Sequence, residues 1–234
     1  MSDRPDTTEQ VRVNVGRVRE RVARAAARSG RAANAVRIIA ASKTKPPELI
    51  TAAIRAGIED IGENYVQEAA GKIGAVAAPA RWHLIGHLQR NKAGRAVELF
   101  DVVQTVDSAA LAEALDRRAG QREHPLQVLV EVNVGGESSK NGAAPEQVGE
   151  LVAALAGKPH LQVIGLMTVP PPVSAPDQAR PYFAALRGLR DQLVRTVPGV
   201  VELSMGMTDD FEVAIEEGAT MVRIGRAIFG AREG

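Results

Sequence analysis

Val36-Arg37-Ile38-Ile39-Ala40-Ala41-Ser42-Lys43-Thr44-Lys45-Pro46 joins a strand-like run to the opening of a helix. Its first half is an apolar run that opens on β-branched residues, the pattern of a strand buried on both faces. The run ends in a lysine, and Pro46-Pro47 then opens a helix-like segment. A strand followed by a helix is the unit of α/β folds, whose ligands sit beyond the carboxyl ends of the strands. Lys43 stands where such a site is expected. A lysine amine that sheds part of its charge by desolvation attacks carbonyls and forms Schiff bases. The alternative is a strand-end lysine reaching for solvent. The stretch alone leaves both open.

Upstream, residues from Asp6 to Gly30 read as one amphipathic helix. Val11, Val15, Val18 and Val22 recur at spacings of four, three and four, alanines continue the face, and Ser29-Gly30 supplies the stop. Arginines fill the remaining positions. They form either a basic stripe for an acidic partner or, the preferred reading, the solvated face of a helix packed on a core.

Downstream, strand and helix signals alternate. Strands are expected at Val36 to Ser42, Ile58 to Gly62, Trp82 to Ile85, Val102 to Val106, Gln127 to Val134, Leu161 to Leu166, Val201 to Leu203 and Met221 to Ile224. Helices are expected from Pro46 to Ala56, Tyr65 to Ile73, Lys92 to Leu99, Ser108 to Arg118, Pro145 to Ala156, Asp177 to Arg195 and Asp209 to Glu217, with a short last one opening at Gly225-Arg226. This is the alternation of an α/β protein: a single (β/α)8 TIM-type barrel with an extra N-terminal helix, residues 1–234 forming one domain. A doubly wound open sheet would alternate in the same way. The count of eight and the lack of a Gly-rich turn after the first strand favour the barrel. Pro170-Pro171-Pro172 falls between the sixth strand and its helix and reads as a rigid loop.

Composition narrows the function classes. A hydrophobic fraction of 45% with 24% charged residues is ordinary for a globular chain. A net charge of +1 provides no global field towards nucleic acid or membranes. With no cysteine there is no disulfide, thiolate nucleophile or Cys-ligated metal, and four histidines without ligand spacing argue against zinc. Met1-Ser2-Asp3-Arg4-Pro5 lacks the apolar core of a signal peptide, so a cytoplasmic protein is the expectation.

Barrel active sites lie at the C-terminal strand ends. There this chain places Ser42-Lys43-Thr44, Gly62-Glu63-Asn64-Tyr65, His83, Gln104 with Asp107, Glu131 with Asn133 and the Gly135 to Gly142 loop, Met167-Thr168, Ser204 to Asp209, Arg223 and Gly225-Arg226. Ser204 to Thr208 and Gly225-Arg226 look like an anion site, because free N–H groups and the helix dipole point at ligands of helix N-termini. Two ordinary capped turns are the plain alternative. A Schiff-base-capable lysine, a phosphate cradle and an arginine together fit a phosphorylated aldehyde, and pyridoxal 5′-phosphate (PLP) is the candidate.

Ser42-Lys43-Thr44-Lys45-Pro46, Gly62-Glu63-Asn64-Tyr65-Val66-Gln67-Glu68, Trp82-His83-Leu84-Ile85-Gly86, Asn91-Lys92, Gly165-Leu166-Met167, Leu203-Ser204-Met205-Gly206-Met207 with Asp209-Asp210, and Met221-Val222-Arg223-Ile224-Gly225 with Ile228-Phe229-Gly230 carry a resemblance. The chain resembles the pyridoxal phosphate homeostasis protein family, relatives of the N-terminal barrel of alanine racemase. The resemblance implies that Lys43 carries PLP as a Schiff base and that Arg223 faces the pyridine nitrogen. It implies that Ser204, Gly206, Gly225 and the Arg226 amide hold the phosphate, and that Asn64, His83 and Met205 line the ring. It also implies a role in vitamin B6 homeostasis, with PLP-dependent apoenzymes as partners.

An arginine at the pyridine nitrogen weakens the ring as an electron sink. Racemisation also needs a second proton-transfer group opposite Lys43. In alanine racemase a tyrosine from a second domain supplies it. This chain ends at Gly234, directly after the last barrel element, and its tyrosines are Tyr65, just past the second strand, and Tyr182, on an outer helix. The first expectation is therefore a monomeric PLP-binding homeostasis protein without established catalysis. A low-activity PLP-dependent amino-acid racemase and a cofactor-free Schiff-base aldolase using Lys43 are the alternatives. Three neighbours have plainer readings. Asp209-Asp210 complement a helix dipole, Lys45 is a more exposed rival to Lys43, and Glu131 is buried only if paired.

Overall fold

The computed structural model describes residues 7–137 and 140–231. The expectations that touch Met1 to Asp6, Ser138-Ser139 and the chain end at Gly234 lie outside them. The first strand, β1 (Arg37–Ala41), is followed by α2 (Pro47–Arg55), after an N-terminal α1 (Thr7–Arg28). Then come β2 (Asp60–Glu63), α3 (Val66–Lys72), β3 (Arg81–Leu84), α4 (Ala93–Leu99), β4 (Val102–Val106), α5 (Ala109–Ala119), β5 (Leu126–Glu131) and α6 (Val148–Ala156). The chain continues through β6 (Leu161–Met167), α7 (Arg180–Leu193), β7 (Glu202–Ser204), α8 (Phe211–Glu216), β8 (Met221–Ile224) and α9 (Arg226–Phe229). Each strand pairs in parallel with the next, and Arg37↔Met221 to Ala40↔Ile224 join β1 to β8, so the sheet is a closed barrel. Parallel neighbours need a crossover, which the helices provide.

Strand residues alternate between two shells. Ile39, Val102, Leu129, Ile164, Met167 and Met221 form one buried cluster inside the barrel. Ile61, Trp82, Leu84, Phe100, Phe183 and Phe211 belong to the larger cluster between strands and helices. Trp82 and Leu84 face the helices, so His83 between them faces the barrel interior. The fold class is the expected one, a (β/α)8 barrel with an added N-terminal helix.

The differences lie at the element ends. β5 stops at Glu131, short of the expected Val134, because Asn133 N–H turns to the Ala143 carbonyl and Gly136 N–H to the Asn133 carbonyl. Val132 and Val134 prolong the apolar alternation without prolonging the strand. β7 begins one residue late, at Glu202, with Val201 N–H shared between Ile164 O of β6 and Gly199 O, each at 3.0 Å. Tighter 3-10 turns over Arg90–Lys92, Pro145–Gln147 and Pro176–Ala179 precede α4, α6 and α7.

The α1 face of Val11, Val15, Val18 and Val22 is buried, and the helix packs on α2, α8 and α9. Its arginines are partly engaged. Arg21 pairs with Glu212 at 3.2 Å and lies 4.4 Å over the Phe211 ring, and Arg28 pairs with Glu216 at 2.7 Å. These contacts tie two of the α1 arginines to α8. Among the described residues no helix is long and apolar enough to cross a membrane, and no His/Asp/Glu group has the arrangement of a metal site.

Candidate functional site

Lys43 leaves the end of β1 in a strained turn. Thr44, the next residue, has φ 65°, a left-handed conformation that β-branched residues avoid. The turn is held from below. Thr44 N–H donates to Glu68 Oε1 at 2.5 Å, and Lys72 Nζ donates to Ser42 O at 2.8 Å. Lys72 also binds Glu63 Oε1 at 2.9 Å and Glu68 Oε1 at 2.6 Å, and Ser42 Oγ donates to Glu63 Oε1 at 2.6 Å. Ser42, Glu63 and Lys72 are buried. Burial pushes the Glu63 carboxyl above its ordinary value, against the pull of Ser42 and Lys72. This network gives the turn one geometry, and the lysine it carries is half-buried, with no hydrogen bond or ion pair among the described residues.

Lys43 opens into a cavity of about 340 Å³ at the C-terminal mouth of the barrel. Asn64, Arg223, Gly225 and Arg226 share its lining, together with Ile85, Val169, Met207, Thr208 and Asp209. Lys45 also reaches it, but its ammonium donates to Ala231 O at 3.2 Å. Asn64 is placed by a close backbone approach, since a Cβ at Gly86 would stand 2.2 Å from Asn64 O. A larger hollow of about 690 Å³, lined by Ile54, Pro79 and Arg81, lies at the opposite, N-terminal end of the strands, away from this chemistry.

The β7 and β8 loops form one wall. Met207 N–H is taken by Asp210 Oδ1 at 2.6 Å, whereas the amides of Thr208 and Asp209 find no acceptor among the described residues. The first amides of α9, those of Arg226 and Ala227, are likewise unspent. Arg226 and Asp209 form an ion pair across this wall. Gly206 turns the chain with φ 92°, and an added Cβ would lie 2.5 Å from Ala214 Cβ and 2.9 Å from Phe211 Cα. Gly206→Ala is therefore expected to destabilise the protein by about 1–3 kcal/mol in urea unfolding.

Arg223 sits under the cavity, almost wholly buried. Its Nη1 donates to Ser204 Oγ and its Nη2 to Thr168 O, both at 2.7 Å. Burial pulls its pKa down to about 10, opposed by Glu131 and Asp210. At the end of β5, Glu131 has one carboxylate oxygen sealed without a partner. Burial and then repulsion from Asp107 push its pKa up to about 7, against the field of Arg223. A carboxyl raised above its unfolded value adds stability below that unfolded value and loses it as pH rises through the folded one. For Glu131 the loss runs from about pH 4.5 to 7. Glu131→Gln is expected to exceed the parent in stability by on the order of 2–3 kcal/mol at pH 8 and to match it near pH 4, as read by urea midpoints.

Of the expected site residues, the structure brings Lys43, Asn64, Arg223, Gly225 and Arg226 to the cavity. It places His83, Ser204, Met205 and Gly206 beside or below the cavity instead. Met205 packs in the strand–helix layer. Gly206 carries the turn and accepts Arg223 N–H at 2.9 Å through its carbonyl. His83 and Ser204 lie inside the barrel, wholly buried, with their polar atoms bonded to protein partners. The reason is parity, because a strand-end position names a level and the pleat decides the face. Glu63 and Lys72 carry roles that sequence reasoning did not assign. The Glu68–Lys72 spacing of four was the available signal.

A family model described as the N-terminal domain of alanine racemase matches residues 13–233. The pyridoxal phosphate homeostasis protein of Aquifex aeolicus is 44% identical over 221 residues, covering 94% of this chain and 97% of that protein. A crystal structure of an unknown protein from Bifidobacterium adolescentis superposes with a TM-score of 0.90 at 38% identity, over 98% of this chain and 97% of that one. PipY of Synechococcus elongatus PCC7942, solved with PLP bound, gives a TM-score of 0.76 at 36% identity, over 84% and 93% of the two chains. With a free lysine at the mouth of a racemase-type barrel and relatives matching along nearly its whole length, the chain belongs to the pyridoxal phosphate homeostasis protein family.

Proposed function

We propose that this protein binds PLP in the barrel mouth, held covalently by Lys43, and serves intracellular vitamin B6 homeostasis. The reading makes it a cytoplasmic monomer that passes the cofactor to PLP-dependent apoenzymes. The observation that carries it is the Lys43 amine, without a partner among the described residues, in a pocket whose β7 and β8 loops hold amides that find no acceptor among those residues. The residues present fit the group. The cavity of about 340 Å³ is lined on one side by a primary amine and on another by Thr208, Asp209, Gly225 and Arg226. When bound, PLP supplies an aldehyde carbon with which a lysine amine condenses, releasing water.

The chain's own residues then have distinct tasks. The amides of Thr208, Asp209, Arg226 and Ala227 would bind the phosphate, and Asn64, just past β2 on the cavity wall, would contact the ring. Arg223 brings a positive charge to the cavity, committed by two hydrogen bonds to Ser204 and Thr168. A guanidinium so bound keeps its protons, so it does not serve as a proton carrier. Neither tyrosine lines the cavity: Tyr65 is 60% exposed, and Tyr182 lies on α7 of the outer ring. This supports a holding role over racemisation, which needs a second proton-transfer group.

The test is to mix the loaded protein with an apo-aminotransferase and, separately, with single-enantiomer amino acids. Recovery of aminotransferase activity with unchanged optical rotation is the expected pair of results. Sustained racemisation would contradict the holding role.

A further inference from the structure

A chain of buried polar side chains crosses the barrel interior below the cavity. His83 Nε2 lies 2.7 Å from Asp60 Oδ1, and Gln104 Nε2 lies 2.9 Å from His83 Nδ1. Ser204 Oγ donates to Gln104 Oε1 at 2.6 Å, and Arg223 Nη1 donates to Ser204 Oγ at 2.7 Å. The other arm of Arg223 reaches Thr168 O at 2.7 Å. All six residues are buried. The chain runs obliquely from the first residue of β2 through β3 and β4 to β7 and β8, and ends just past β6.

We propose that His83 is a positioning residue for Arg223, acting through Gln104 and Ser204, and that this chain gives the guanidinium at the cofactor site one fixed orientation. The inference rests on the reading that Arg223 faces bound PLP. Its physical content is the polarity of the chain. Arginine only donates, so Ser204 Oγ accepts from it and spends its own proton on Gln104 Oε1. The Gln104 amide nitrogen must then face His83. Its two hydrogens go to His83 Nδ1 and to Met221 Sδ, which lies 3.8 Å away. Nδ1 is therefore an acceptor, the His83 proton sits on Nε2, and Asp60 accepts it as a carboxylate.

The local fields agree with this tautomer. Burial lowers the His83 pKa against the pull of Asp60, and Arg81 and Arg37 lower it further. Burial works to raise Asp60, but the His83 hydrogen bond and the fields of His83, Arg37 and Arg81 hold it below its ordinary value. Reversing the Gln104 amide would require a proton on Nδ1. With Nε2 still donating to Asp60, that makes a buried imidazolium. It would also leave the Ser204 proton unspent beside the Arg223 donor. One added proton at His83 thus reorganises the partner of Arg223.

The test uses the full-length protein in two states. Without cofactor, long-range proton–nitrogen spectra are expected to show His83 neutral with its proton on Nε2 from pH 6 to 8, and slowly rotating Arg223 Nη groups. Gln104→Glu, which presents a carboxylate to Nδ1, is expected to convert His83 to the doubly protonated form. In His83→Ala, and in Gln104→Met as a near-isosteric second variant, the Arg223 Nη signals are expected to average. PLP binding is expected to weaken by about tenfold, with a shifted absorption maximum. Thr51→Val, which removes a buried hydroxyl that donates to Pro47 O and accepts from the Ala77 amide, away from the cavity, controls for general loosening and is expected to change neither readout. An Nδ1–H or doubly protonated His83 in the parent overturns the proposal. So do unchanged Arg223 signals in both variants. If the parent takes up no PLP, the cofactor reading falls, and the nitrogen spectra still decide the chain.

Discussion

Lys43→Ala is expected to abolish the visible absorbance of PLP-loaded protein while leaving the fold intact. The amine makes no hydrogen bond or ion pair among the described residues, so its removal leaves no buried partner unsatisfied. The turn that carries it is held by Ser42, Glu63, Glu68 and Lys72, none of which is altered. The urea midpoint should therefore move little, whereas the band that survives desalting should vanish. The amides of Thr208 and Asp209 remain, so residual phosphate-driven binding at raised PLP concentration is expected. Lys45, the other lysine at the cavity, is tied to Ala231 O and is not expected to substitute. A variant that keeps its full colour would move the covalent role to Lys45.

Lys72→Met is expected to produce the largest loss of stability. The ammonium is buried and is the cation shared by Glu63, Glu68 and the Ser42 carbonyl. Removing one partner of a buried ion pair strands the other charge, at a cost of about 3–5 kcal/mol. The sign with pH follows from Glu63. Its carboxyl is raised in the parent by burial, against Lys72 among others, so losing Lys72 raises it further. A raised carboxyl keeps its stabilising contribution at low pH and loses it as pH rises. The variant should therefore be most deficient near pH 8 and less so near pH 5. Glu63→Gln added to Lys72→Met should restore part of the loss, a coupling that a double-mutant cycle in urea unfolding measures. PLP affinity should fall too, because the strained Thr44 turn that aims Lys43 loses its underside. Equal loss at both pH values would argue against a charge-based cause.

The eight strands could be read from the sequence because parallel strands buried on both faces are near-continuous apolar runs. Val102–Val106 and Met221–Ile224 fall where expected. The failures have physical causes. At β5 the apolar signal outlasted the hydrogen-bond ladder, because Ala143 took the Asn133 amide. Lys43 could be read because it ends an apolar run. His83 and Ser204 could be assigned to a level of the barrel, but only the closed register shows that both point inward and join through Gln104. Glu63 ends β2 and Ser42 follows β1, so their bonds to Lys72 have no local sequence signature beyond Glu68–Lys72.

The most direct measurement is borohydride reduction of the PLP-loaded protein, followed by digestion and mass spectrometry. Reduction makes the carbon–nitrogen bond permanent, so the cofactor's mass marks the residue that held it. One pyridoxyl modification is expected, on the peptide that contains Lys43, at near-complete occupancy. Modification centred on Lys45, Lys72 or scattered lysines, with Lys43 free, would contradict it.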